Sequence, residues 1–130
     1  MNIVYISGKY RSRWGIIGRI INIWKAGRAA IQWWQEGYAV ICPHTNTLFG
    51  FPNNTDTSYL DGCLEIINRL HKKDTIYMLK NWGRSEGANA ELKLAMSRGL
   101  QVIFQEEQFI PITEKSPETL TINVSESTVN

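Results

Sequence analysis

The segment Ser85-Glu86-Gly87-Ala88-Asn89-Ala90-Glu91 has the residue types and spacing of a reactive site. It follows the apolar run Thr75-Ile76-Tyr77-Met78-Leu79 and opens a helical pattern that continues through Leu92 and Leu94 to Arg98. Ser85 is a good N-cap, and Gly87 lets a ligand approach the first turn without a side chain in the way. At about 100° per residue, Ala88, Leu92, Ala95 and Gly99 point the same way, and Glu91 lies on the flank of that arc. A carboxylate beside small residues, just past a buried strand, suits chemistry better than solubility. Asp74 and Asp61 compete as its partner acid, and Tyr5 on a neighbouring strand could orient or tune it by hydrogen bonding.

Around this carboxylate the sequence offers a set of contact residues. Gly8-Lys9-Tyr10-Arg11-Ser12-Arg13-Trp14-Gly15 joins a strand to a helix N-terminus and holds three cations. Backbone N–H groups, the helix dipole and Arg forks could hold a phosphate there, and a solvated basic loop is an equal reading. The loop is neither a P-loop nor a GxGxxG fingerprint. His44 and Asn46 follow directly beyond a strand end, Trp82 lies in the loop before Ser85 and could stack on a base or pack on the sheet, and His71 reads as part of a solvated helix end.

These residues need elements to carry them. Asn2 to Ser7 reads as a β-strand ending at Gly8. From about Ile16 to Glu36, Ile17, Ile20, Trp24, Ile31 and Trp34 recur at helical spacing, and Trp33-Trp34 suits a core and a subunit interface. Tyr38 to Cys42 is a second strand stopped by Pro43, followed by a polar loop from His44 to about Asp56. Thr57 to Lys73 is a helix, Asp74 opens the third strand, Asn81 to Ser85 form a loop, Glu86 to Arg98 form a helix, and Gln101 to Phe104 is the fourth strand. The alternation predicts an α/β fold: a Rossmann-like or flavodoxin-like three-layer sandwich with a four- to five-stranded, mainly parallel sheet, binding ligand beyond the C-terminal strand ends. Residues 1–112 make the domain. Residues 113–130 form an acidic Ser/Thr-rich tail, disordered or with an edge strand over Thr119–Val124.

Composition narrows the partners. Residues 1–105 carry 13 Lys/Arg against 7 Asp/Glu, a net of +6, and residues 106–130 carry 1 against 5, a net of −4. A basic body suits anionic small molecules as well as nucleic acid, but no nucleic-acid motif is present, so a nucleic-acid partner is not expected. Cys42 and Cys63 lack CxxC spacing, so they read as reduced, buried thiols, with no metal and no cofactor expected. No stretch approaches the ~18 apolar residues of a membrane span, and the chain reads as cytoplasmic.

Four ordered pieces carry a family resemblance: Val4-Tyr5-Ile6-Ser7-Gly8 with Arg11; Gly37 to His44; Asp74 to Leu79 with Asn81-Trp82; and Ser85 to Glu91 with Ala95. With these the chain resembles the nucleoside 2-deoxyribosyltransferase-like superfamily, which includes deoxynucleoside 5′-monophosphate N-glycosidases, over roughly residues 2–105. The resemblance implies Glu91 as nucleophile, Tyr5 as its assistant, and an Asp (Asp74 or Asp61) that orients the sugar or helps the base leave. It implies Ser85, with Gly8, Lys9 and Arg11, at a 5′-phosphate, and His44 and Asn46 belong to the pattern of its smaller branch. Gly87 and Trp82 are substrate contacts on the residue reading alone. Trp82-Gly83-Arg84 departs from the better-known members by bringing an aromatic and a cation into the site loop. The implied activity is N-glycosidic cleavage of a deoxynucleoside or its 5′-monophosphate, by hydrolysis or by transfer to a second base, in a homodimer or larger assembly. The retaining-glycosidase analogy adds a geometric condition, an assisting acid about 5 Å from the nucleophile; a structure that places Glu91 far from both Asp74 and Asp61 ends that retaining proposal. A different class, a non-catalytic nucleotide sensor using the same cleft, is the alternative.

Overall fold

The computed structural model describes residues 1–46 and 58–106. Its elements, in chain order, are β1 (Ile3–Ser7), α1 (Gly15–Gln35), β2 (Ala39–Ile41), α2 (Pro43–Asn46), α3 (Ser58–Asn68), β3 (Thr75–Met78), a 3₁₀ turn (Trp82–Arg84), α4 (Glu86–Ser97) and β4 (Gln101–Phe104). The tail, its possible strand and residues 47–57 of the loop lie outside the described residues.

The four strands form one parallel sheet in the order β2-β1-β3-β4. The apolar strands are covered on both sides, as a parallel sheet requires. Val4 and Ile6 of β1 face one layer, where they meet Ala26, Ala29 and Ala30 of α1. Tyr5, with Ile76 and Met78 of β3, faces the other, against Cys63 and Ile67 of α3 and Ala88, Leu92 and Ala95 of α4. The result is the three-layer α/β sandwich, Rossmann-like in its crossovers. After β1 the chain crosses to β2 on one side and then returns to β3 on the other. The crevice beyond β1 and β3 is therefore the topological switch point, where such sheets bind ligands.

Local chemistry explains the boundaries. Gly37, at φ 92°, turns the chain out of α1 and into β2. Pro43 ends the second strand and opens α2, where its missing N–H and fixed φ cost nothing; a helical turn thus stands where a loop was expected. α3 stops at Asn68 instead of reaching Lys73, and the turn after it is held by Asp74, whose carboxylate accepts from His71 N at 2.7 Å. α1 departs furthest from its sequence pattern. Its buried face is Gly18, Asn22, Ala26, Ala29 and Ala30, while Ile17, Ile20, Trp24, Ile31 and Trp34 are exposed. Small residues let the helix lie close to the sheet, and the large apolar stripe faces away from it. Trp33 alone of the pair Trp33-Trp34 turns inward, edge-on to Tyr38 and Tyr77.

Candidate functional site

Tyr5 and Ser7 are two residues apart on β1, so the pleat puts both on the face covered by α4. Glu91 descends to them from the first turns of α4, on the helix face that Ala88, Leu92 and Ala95 press against the sheet. One carboxylate oxygen, Oε1, accepts from Ser7 Oγ at 2.8 Å, and the other, Oε2, accepts from the Tyr5 hydroxyl. Glu91 is only 7 % exposed. Burial raises its pKa from the ordinary 4.5 to about 7, against the opposing pull of the two hydroxyl donors. Burial, followed by the negative charge of Glu91, drives the Tyr5 phenol far above its usual range, so it remains a donor. The Cys63 thiol, within hydrogen-bond reach of Tyr5, is pushed by burial up to about 11 and stays neutral.

Tyr5 and Ser7 hold the carboxylate from behind, and its open side meets a cleft of about 730 Å³. The loop after β1 (Gly8, Lys9, Tyr10, Arg11), Pro43 and His44 after β2, Tyr59, Leu60 and Cys63 of α3, and Arg84 to Ala88 form its walls. Gly8 is required by close approach: a Cβ there would fall 2.6 Å from Leu79 Cδ1 and 3.0 Å from Asn81 Oδ1. That approach lets Asn81 Oδ1 accept from Lys9 N at 3.0 Å. The half-buried Asn81 amide also meets Asn22 Oδ1, and the Asn22 amide donates to the Tyr10 and Arg11 carbonyls, each at 3.3 Å. The cationic loop is thus fixed to β3 and α1 by two asparagines.

At the opposite wall Ser85 caps α4, its Oγ accepting from Ala88 N at 3.1 Å. Asn89 reaches back to the Ser85 carbonyl at 2.8 Å and to carbonyls of the 3₁₀ turn. A Cβ on Gly87 would make only ordinary contacts, the nearest at 3.6 Å, so the packing itself does not demand glycine. The missing side chain leaves the first turn of α4 open to the cleft. His44 is buried, 4 % exposed, with Nε2 3.1 Å from the Lys9 carbonyl. A carbonyl only accepts, so Nε2 carries the proton. Nδ1 is then a buried acceptor with no partner among the described residues, in a ring that burial keeps neutral.

The structure gathers Tyr5, Gly8, Lys9, Arg11, His44, Ser85, Gly87 and Glu91 at one end of the sheet. Four expected residues lie elsewhere. Asp74 sits at the N-terminal end of β3, accepting from Ile3 N at 2.8 Å as well as from His71 N. Ile3 and Ser7 are separated by the length of β1, ~13 Å at ~3.3 Å per residue, so Asp74 works at the opposite edge of the sheet. Asp61 is exposed on α3 and does not line the cleft, because it points about 150° away from the Tyr59–Leu60–Cys63 face. The paired-carboxylate arrangement with either Asp is therefore absent, and the retaining mechanism that relied on Asp74 or Asp61 fails in that form. Trp82 packs on Phe104, ring centroids 5.5 Å apart, and Asn46 is exposed at the end of α2; neither lines the cleft. In the other direction, Ser7, Asn22, Asn81 and Glu86 belong to the site or its supports and were given no site role from the sequence, while Arg84, the cation expected in the loop before Ser85, lines the cleft. Ser7 had a readable signal, its period-two spacing from Tyr5. Among the described residues no group of three His, Cys, Asp or Glu is placed to hold a metal ion, and no helix is long and apolar enough to cross a membrane.

Residues 2–104 match the family described as a domain of unknown function, DUF4406, and the chain belongs to that family. No curated protein matches it significantly.

Proposed function

We propose that the protein cleaves the N-glycosidic bond of a nucleoside or nucleoside 5′-monophosphate, with Glu91 as nucleophile. The observation that carries this reading is the buried carboxylate held from behind by the Tyr5 and Ser7 hydroxyls, with its remaining lone pairs facing a cleft rimmed by cations. The 2-deoxy sugar rests on the resemblance to the nucleoside 2-deoxyribosyltransferase-like superfamily and fits the chemistry, since a 2′-hydroxyl makes an oxocarbenium-like state harder to reach.

In this mechanism, which uses neither Asp74 nor Asp61, a Glu91 oxygen bonds to C1′ as the C1′–N bond breaks, and the base leaves with that electron pair. The base is protonated from the open side of the cleft, where Glu86 is the second carboxylate on the wall. Water then attacks C1′ of the glycosyl ester and passes a proton to the group that protonated the base, releasing the sugar and returning the carboxylate; a second base that gives up its N–H proton in the same way gives transfer. The Tyr5 and Ser7 donors fix the carboxylate's rotamer and stabilise the anion that returns. Lys9, Arg11, Arg84, the Ser85 hydroxyl and the first turn of α4 form a suitable seat for a 5′-phosphate.

The test is incubation with each deoxynucleoside and its 5′-monophosphate, with free base followed by chromatography. Release by the wild type, and none by a folded Glu91→Ala variant, is the expected result; added acceptor base separates transfer from hydrolysis. Failure of every substrate to yield base, with tight binding retained, would overturn catalysis in favour of a nucleotide sensor.

A further inference from the structure

The outward face of α1 carries a pattern that the cleft does not use. Ile17, Ile20, Trp24, Gly27, Ile31 and Trp34 follow alternating steps of three and four residues, the a/d spacing of a helix–helix seam. The five large residues among them remain 54–68 % exposed, although the helix is already fixed to the sheet by its Gly/Ala face. Their uncovered side chains amount to roughly 600 Å² of apolar surface, at the upper limit of the largest patch on a typical monomer and most of the ~800 Å² each partner contributes to a standard interface.

We propose that this stripe is the seam of a homodimer, in which α1 packs antiparallel against α1 of a second copy about a two-fold axis near residues 25 and 26. The stripe is self-complementary in that register. Trp24 falls opposite Gly27, Ile20 opposite Ile31, and Ile17 opposite Trp34, each pair meeting twice across the axis. The largest side chain thereby faces the one position without a side chain. Within a single copy a Cβ on Gly27 would make one ordinary contact, with Thr45 Cγ2 of α2 at 3.8 Å, and no close one. Charge fits the same direction. α1 itself contains Arg19, Lys25 and Arg28 and no acid, while Glu36 follows its C-terminus; antiparallel packing brings Glu36 near Arg13 at the partner's N-terminal end and opposes the helix dipoles. The cationic, apolar face also has the composition of a helix that lies on anionic lipid. A lipid surface, however, gives no reason for a heptad seam with matched large and small positions, so the second copy is the occupant the observations favour. The proposal does not depend on the reaction assigned to the cleft.

Sedimentation equilibrium on the full chain over micromolar concentrations should give twice the 14.9 kDa chain mass. Ile17→Glu/Ile31→Glu should give the single-chain mass with unchanged far-ultraviolet circular dichroism, since both residues are exposed in one copy. Register is tested by Ile20→Cys/Ile31→Cys under mild oxidation. These positions lie about 16 Å apart along one helix, too far for an internal disulfide, but meet across the proposed seam. An inter-chain disulfide is expected from the double variant and not from Ile20→Cys alone. A wild type that is monomeric throughout, a dimer that survives Ile17→Glu/Ile31→Glu, or a monomer that binds phosphatidylserine vesicles through this face overturns the proposal. If the double glutamate variant fails to fold, the cysteine pair decides: no inter-chain disulfide refutes the seam.

Discussion

Replacing Glu91 with Gln removes one titration that the fold itself has displaced, and its size follows from the geometry. The carboxylate titrates at its ordinary 4.5 when the chain is unfolded and at about 7 when it lies between Tyr5, Ser7 and the small face of α4. A folded-state pKa above the unfolded one means that the folded state holds the proton more tightly. The associated stability is fully present below about pH 4.5 and is lost as pH rises through about 7. Between pH 5 and pH 8 the loss is on the order of 2–3 kcal/mol, at 1.36 kcal/mol per pKa unit over that window. For a chain of this length that corresponds to on the order of 10 °C in Tm. Urea or thermal unfolding of wild type and Glu91→Gln at both pH values isolates the residue, because every other group is common to the two proteins. The difference in stability should move in favour of Gln by on the order of 2–3 kcal/mol on going from pH 5 to pH 8. Parallel pH dependences for the two proteins would refute the buried-carboxylate reasoning. The same titration predicts an acid limb in kcat/KM, with activity rising through about pH 7 as Glu91 ionises, and a limb near 4.5 would contradict it.

Other perturbations separate the site from its scaffold. Tyr5→Phe leaves Glu91 with Ser7 as its hydroxyl donor, so the acid limb should move to higher pH and turnover should fall about 10- to 100-fold, from a charge-assisted bond of about 1.5–3 kcal/mol; an unchanged pH profile would count against the contact. Asp74→Ala strands the Ile3 and His71 N–H groups and should cost about 1–3 kcal/mol in chemical unfolding with turnover unaltered in the folded protein. A large drop in kcat would return Asp74 to the chemistry. Gly8→Ala forces Leu79 and Asn81 away from the β1 end and should destabilise by about 1–3 kcal/mol while raising KM for a phosphorylated substrate, measured by initial rates.

The sheet and the heart of the site were legible because each rests on a local rule. Near-continuous apolar runs marked the parallel strands. Period-two alternation put Tyr5 and Ser7 on one face, and helical periodicity turned Glu91 toward Ala88 and Ala95. Asp74 was misplaced despite a readable clue: it precedes its strand, and parallel sheets present their sites beyond the opposite ends. The exclusion of Asp61 and Trp82 needed information of another kind. Which way a helix or a short turn is rotated depends on what packs beneath it, and the sequence of α3 alone does not say that Tyr59 and Cys63 face the cleft.

α1 shows why hydrophobicity alone misleads. A helix with two faces able to pack offers two periodic signals. The larger residues dominate the apolar pattern, but close approach to a sheet selects the small ones. Ala26, Ala29 and Ala30 bury little area each, yet they let the backbone come near Val4 and Ile6, and they leave Trp33 to fill the space beside Tyr38 and Tyr77. An Ile/Trp face against the sheet would have pushed α1 outward. The Asn22 bonds to Tyr10 and Arg11 would then have been lost, and with them the support that holds the cationic loop over the cleft. The same choice that builds the rim of the site therefore leaves the large apolar seam outside, and a single helix links the geometry of the cleft to the surface that a second copy would cover.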